Sequence, residues 1–124
     1  MSSSGLNVQN LETKTAMTAL VGGAAPTLAA NTLAAINEIT VVASDGNSVI
    51  LPAGQAMGTV IYVANRQATA GDADVFPPTG GSINGGTTTT GQVRIPFTQG
   101  GIFVCASSDG LTWLALLTAV CTSA

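Results

Sequence analysis

The chain has no histidine, and this absence removes more chemistry than any other feature of its 124 residues. Nucleophilic catalysis by serine or cysteine needs a base to take the proton, and histidine is the usual one. The remaining bases, Lys14 and scattered carboxylates, form no recognisable constellation, so no catalytic residues are assigned and the chain reads as a non-enzyme. Charge is scarce as well: 7% of residues are charged, against roughly 25% in an ordinary soluble domain. Three basic residues against six acidic ones leave no cationic stripe to follow a phosphate backbone, which argues against nucleic-acid binding. No run reaches the roughly 18 uninterrupted apolar residues of a membrane span. Ala16 to Ala35 comes nearest and is broken by Gly22, Gly23, Pro26 and Asn31. The opening MSSSGLNVQNLETK lacks a basic segment followed by an apolar one, so the expectation is a chain without a signal peptide, made in a cytoplasm.

Cysteine is nearly absent too. Cys105 and Cys121 are the two present, and their spacing fits no zinc motif. Cys105 lies in the apolar run GIFVCAS and reads as a buried free thiol; Cys121, in TAVCTSA, reads as reachable. A disulfide between them, or between chains, stays open. No cofactor is expected. Aromatics amount to one Trp, one Tyr and three Phe, too few for an aromatic-lined ligand platform.

What the chain does contain is Thr, Ser, Asn and Gly for solubility and β-branched residues for structure. Its length suits one domain with a modest core. A neutral polar surface costs less to desolvate than a charged one, so this composition points to burial between subunits and hence to a homo-oligomer. A secreted, low-charge coat protein is the alternative.

Residues 1–31 read as an extended N-terminal arm and Thr/Ala-rich lead, with a short helix expected over Leu28–Ala35. From Ile36 the pattern turns to strands: INEITVVA (36–43), SVIL (48–51), GTVIYVAN (58–65), ADVFP (73–77), QVRIPF (92–97), GIFVCAS (101–107) and LTWLALL (111–117). GTVIYVAN is apolar on both faces and therefore central. Pro96 places its segment at a sheet edge or bulge. The last two runs pair across Ser108-Asp109-Gly110. Seven short strands with turn residues between them predict an all-β fold: a single antiparallel β-sandwich or jelly-roll-like barrel over residues 32–117, followed by a tail at 118–124. Phe103 and Trp113 are the expected core anchors.

VFPPTGGSING (75–85) is the stretch most open to a ligand-binding reading. It is no P-loop, because no Lys-Ser/Thr and no helix follow the glycines. It reads instead as a strand end, a proline corner and two glycine turns around one core residue, Ile83, with Ser82-Ile83-Asn84 as a brief strand. GDAD (71–74) offers alternate carboxylates for calcium but lacks the rest of an EF-hand, so no metal site is assigned. Asp45, Asp72, Asp74 and Asp109 all sit in turn contexts, where Asp is favoured for its own backbone hydrogen bonds rather than as a glycosidase acid. The tract GGTTTTGQ (85–92) could form a threonine collar, Thr87 to Thr90, around the axis of a trimer.

Four segments taken in order, AINEITVVASDGNSVILPAG, GTVIYVANRQ, DVFPPTGGSINGG and GIFVCASSDGLTWLAL, carry a resemblance. They resemble a recurring small β-domain of tailed-bacteriophage virions. The matching positions are Asn37, Leu51-Pro52, Val63 with Asn65, Phe76 to Asn84, and Trp113, spread over about residues 13 to 117. The Pro-Pro-x-Gly-Gly-x-Ile-Asn string is the most specific part. The chain departs from the pattern in its cysteines, its polar 85–92 tract and its 118–124 tail. The resemblance implies a structural virion protein: a capsid decoration (cement) protein bound to the outside of a phage head, oligomeric and commonly trimeric, with the major capsid protein as partner. A tail, baseplate or head-fibre module that contacts a host-surface glycan is the alternative role.

Overall fold

The computed structural model describes residues 12–19, 32–67 and 71–118, and every helix or strand among them is a strand. These are β1 (Thr13–Thr18), β2 (Ile36–Val41), β3 (Ser48–Ile50), β4 (Val60–Asn65), β5 (Ala73–Phe76), β6 (Ser82–Ile83), β7 (Val93–Ile95), β8 (Gly100–Cys105) and β9 (Thr112–Leu117). Each of the seven runs read from the sequence overlaps one of them, β8 starting one residue before its run, and the brief strand at Ser82 is β6. The protein is all-β. The local cause is composition: branched and aromatic residues that fit a pleated surface fill the strands, while Gly, Pro, Asp and Asn stand between them.

Topology departs from the antiparallel sandwich or jelly roll that the sequence suggests. A six-stranded sheet has the order β1-β2-β4-β8-β9-β6, and a three-stranded sheet the order β3-β5-β7. From β2 to β7 the chain changes sheet at every connection. Through β5 successive visits to one sheet run the same way, and β2 pairs parallel with β4 as β3 does with β5. β1 adds in parallel at the edge beside β2, and Thr32 makes a single parallel bridge to Ile50. This is the winding of a β-solenoid. A strand of the opposite sheet supplies the crossover that a parallel pair requires.

The chain then reverses, with β7 antiparallel to β5, β8 to β4 and β9 to β8. β6 closes the far edge in parallel with β9. Both sheets are mixed, because turn clusters such as Ser44-Asp45-Gly46-Asn47 carry the chain across to the other sheet instead of back beside β2. Turn residues set local φ and ψ, and they do not choose the sheet that receives the next strand. As expected, β4 is central, and Pro96 follows β7 at the edge of the smaller sheet.

The helix expected at Leu28–Ala35 is not formed in its described part. Thr32 is in the bridge to Ile50, its carbonyl accepts a hydrogen bond from Lys14 Nζ, and Leu33 N–H donates to Ile50 O at 2.8 Å. The bridge and the two hydrogen bonds hold this segment extended against the weak helical spacing of Leu28, Thr32 and Ala35. Residues 28–31, most of the arm and Cys121 lie outside the described residues. β1 falls in the segment read as the lead, yet Met17 and Ala19 at its end are buried in the core.

One apolar cluster joins the two sheets. Ile39, Ile61, Val63, Phe103 and Trp113 come from the larger sheet, and Val49, Val75 and Ile95 from the smaller. Trp113 and Phe103 are fully buried, as the sequence implied. The Trp113 indole N–H donates to Gly110 O at 3.0 Å, so its polar atom is satisfied inside the core.

Candidate functional site

The proline-glycine corner is the first place to look for chemistry. Val75 and Phe76 end β5, and Pro77 and Pro78 behind them are fully buried. Gly81 N–H donates to Pro78 O at 2.8 Å, with Gly80 at φ +84° in the third position, the geometry of a type II turn. A side chain at Gly81 would start 2.6 Å from Leu111 O, so only glycine fits there. Ile83 then enters the core. Asn84 (φ +52°) and Gly85 (φ +72°) form a second turn of type I′ character, closed by Gly86 N–H to Ile83 O at 2.9 Å.

A phosphate cradle needs free backbone N–H groups. Here they are taken: Gly80 N–H donates to Thr89 Oγ1, Gly81 to Pro78 O, Ser82 to Leu111 O, Asn84 to Trp113 O and Gly86 to Ile83 O. The threonine tract is drawn onto the same corner, since Thr89 N–H donates in return to Gly81 O. Asn84 also does something that the Asn-Gly pair does not announce. Its amide Nδ2 donates to Ala115 O at 3.1 Å and its Oδ1 accepts from Ala115 N–H at 2.9 Å. The side chain thus completes the ladder that a third β6 residue would have made with β9.

The aspartates are likewise occupied with building turns. Asp45 Oδ1 accepts from Asp72 N–H at 2.8 Å, and Asp72 Oδ1 accepts from Phe97 N–H at 2.9 Å. Asp74, buried on β5, receives the Arg94 guanidinium as a fork, Nε at 2.8 Å and Nη2 at 3.2 Å. The hydrogen bond and charge of Asp74, helped by Asp72 and Asp45, raise the Arg94 pKa further against a small desolvation effect. Asp109 accepts from Ser107 Oγ at 2.6 Å and from Leu111 N–H at 3.0 Å, and these bonds lower its pKa. Among the described residues, no group of three or more His, Cys, Asp or Glu side chains is placed to hold a metal ion. Cys105 is a buried, unbridged thiol.

Asn37 and Asn65, two positions of the phage-type pattern, are both buried. Asn37 Oδ1 accepts from Ala34 N–H at 2.7 Å, while its Nδ2 donates to Ala34 O and Tyr62 O, which ties the entry of β2 to β4. Asn65 Nδ2 donates to Gly71 O at 2.9 Å and Ile95 O at 3.1 Å, linking the two sheets. These positions serve architecture.

A different feature faces solvent. Side chains alternate along a strand, and Ile61, Val63, Phe103, Cys105 and Trp113 point into the core. Their neighbours on the outer face of the larger sheet are apolar as well. Register places Ile36, Tyr62, Ile102 and Leu116 in one row across β2, β4, β8 and β9. Val60, Val104 and Leu114 form the row beside it. Leu116 is 70% exposed, Leu114 54% and Tyr62 50%. On the other side of the large row, Ala64 lies opposite Gly100. These small residues floor a groove of about 400 Å³ whose walls include Ile36, Tyr62 and Ile102. No charged residue belongs to β8 or β9, but Arg66 lines the groove and pairs at 3.3 Å with Glu38, the register neighbour of Ala64 on β2.

Part of this face was legible beforehand: GTVIYVAN is apolar on both faces. The same double pattern in GIFVC and LTWLALL was the available signal, and only the register reveals that the outward residues of three strands join. The described residues define an all-β domain whose polar side chains build its own turns and whose strands β4, β8 and β9 present an apolar outer face. No family model, curated protein or solved structure matches the chain.

Proposed function

We propose that this chain is a structural virion protein: a decoration (cement) protein that binds the outer surface of a tailed-phage head as a homotrimer, without catalysis. The observation that carries the reading is the exposed apolar face of β4, β8 and β9, which a charge-poor chain has little means to keep apart from other surfaces in solution. The virion part is supported by the resemblance at Asn37, Leu51-Pro52, Phe76 to Asn84 and Trp113. In finer detail, the fold is a small two-walled sandwich, wound as a solenoid through β5 and closed by antiparallel strands. The stable corner, with its buried prolines, suits a part that must resist strain. Several subunits joined in one contact bind a lattice by avidity, so each single contact can be weak.

The test is to add purified protein to phage heads that lack it. Bound copies at regular sites on cryo-EM images, and heads that withstand higher temperature before rupture, are expected. Heads that stay bare at saturating protein would overturn the reading. A fibre module gripping a host glycan has one observation in its favour, the exposed Tyr62 ring beside a groove, and glycan-array binding by the same preparation would select it.

A further inference from the structure

We infer that Asn84 is a site of covalent modification: it closes onto Gly85 and becomes aspartyl or isoaspartyl, and its hydrogen bonds to Ala115 hold that reaction back. The inference goes beyond the virion reading and does not rest on it. Asn84-Gly85 is the one Asn-Gly pair in the chain. Ring closure requires the backbone nitrogen of the next residue to reach the side-chain amide carbon, and glycine puts no Cβ in its way. The reaction also consumes water, so it needs exposure. Asn37, Asn47 and Asn65 are buried, whereas Asn84 and Gly85 are both exposed. A Cβ added at Gly85 would meet nothing within 4 Å, so the space beside its nitrogen is open. The hydrogen bonds inside the corner use the N–H groups of Gly80, Gly81, Ser82, Asn84 and Gly86; that of Gly85 is not among them.

The step is an acyl displacement. Solvent hydroxide takes the Gly85 amide proton, Gly85 N bonds to Asn84 Cγ, and the Cγ–Nδ2 bond breaks with loss of ammonia. Water then opens the succinimide at either carbonyl, leaving aspartate or, with the backbone routed through the side chain, isoaspartate. Two features of the fold oppose closure. Asn84 sits at φ +52° in a turn closed by Gly86 N–H to Ile83 O at 2.9 Å, and Ala115 holds both ends of its amide. Swinging Cγ onto Gly85 N requires both to open. The product cannot restore them. A carboxylate has no hydrogen to give Ala115 O and faces it as a second, charged acceptor, while isoaspartate adds a carbon to the turn backbone. β6 has only two residues, so the amide pair to Ala115 is a large part of its hold on β9. Deamidation therefore loosens, in one direction only, the corner to which Thr89 and the threonine tract are bonded.

Mass spectrometry of the full chain, aged in heavy-oxygen water over a range of pH, tests the inference. Cleavage after Arg66 and Arg94 releases residues 67–94, in which Asn84 is the sole asparagine. This peptide is expected to gain a deamidated form carrying one solvent oxygen, as two separable products, and faster as pH rises. The folded chain should react ~10- to 100-fold more slowly than the same chain unfolded in guanidinium chloride, a ratio set by the opening of a short edge strand. Asn84→Gln, whose amide carbon lies one bond further out, should remove the reaction at this position. In aged wild type, and in Asn84→Asp, hydrogen exchange should quicken ~10-fold or more at Ser82 and Gly86 and stay unchanged at Ile61 and Val63. Aged wild type gives this reading even where the variant fails to fold. Equal rates in the folded and unfolded chains overturn the inference, and so does an Asn84 that never reacts in the folded chain. Wild-type exchange at Ser82 and Gly86 in the aged protein overturns the loosening of the corner.

Discussion

Ile83 occupies a strand of two residues, yet it reaches the same cluster as Trp113 and Phe103. Its position depends on both turns around it, so the side chain pins the whole proline-glycine corner to the core. Ile83→Asp would place a carboxylate among apolar side chains with no partner, at a cost of about 4 kcal/mol or more. That is a large share of the ~5–15 kcal/mol that holds a domain of this size together. The expected outcome is loss of the cooperative thermal transition; a soluble variant melting with wild type would show that Ile83 is not core. Position 83 was readable as the one large apolar residue in a polar stretch. The paired hydrogen bonds of Asn84 to Ala115 were not, because they need β9 alongside, and β9 lies some thirty positions on.

At the scale of elements, the two glycines of the type II turn separate backbone strain from crowding. Gly80 has φ +84° with nothing within 4 Å of an added Cβ, whereas an added Cβ at Gly81 meets Leu111 O at 2.6 Å. Gly80→Ala should cost about 1 kcal/mol from the left-handed backbone alone. Gly81→Ala should cost more, about 2–3 kcal/mol, because β6 must move away from the 107–111 turn. Urea denaturation of both variants checks the order. The β8–β9 turn offers a pH test. The folded-state pKa of Asp109 is lowered, chiefly by the Ser107 hydroxyl and then by the Leu111 N–H. Its contribution is therefore complete above the unfolded value of about 4 and is lost as pH falls through the lower folded value. Melting temperatures of wild type and Asp109→Asn should differ at neutral pH and converge at strongly acidic pH. A gap that stays constant across that range would exclude the charged form as the stabilising one.

For the whole molecule, scarcity of charge sets the character of any assembly. A trimer held by apolar side chains, with a single marginal ion pair, should persist from low to molar salt, since screening acts on charges. Sedimentation across a salt series reads this directly, and dissociation on adding salt would point to a contact through the acidic groups instead. The topology has the same scale. β2, β3, β4 and β5 are each short and ordinary, and their parallel pairing appears only when the chain is followed alternately through two sheets.

By itself the sequence determined the all-β class, the positions of β2 to β9, the turn residues and the inward anchors Trp113, Phe103 and Ile83; β1 it read as part of the N-terminal lead. All of these follow from local propensity and period-two alternation, which act over a few residues. It also showed the absence of histidine and the shortage of charge. Tertiary structure alone decided which strands are neighbours, in what direction they run, and which outward side chains share a row. Those outcomes depend on contacts between distant positions such as Tyr62, Ile102 and Leu116. An apolar residue on a strand announces that it will be covered; only the register across four strands shows that this set is left for something outside the described fold.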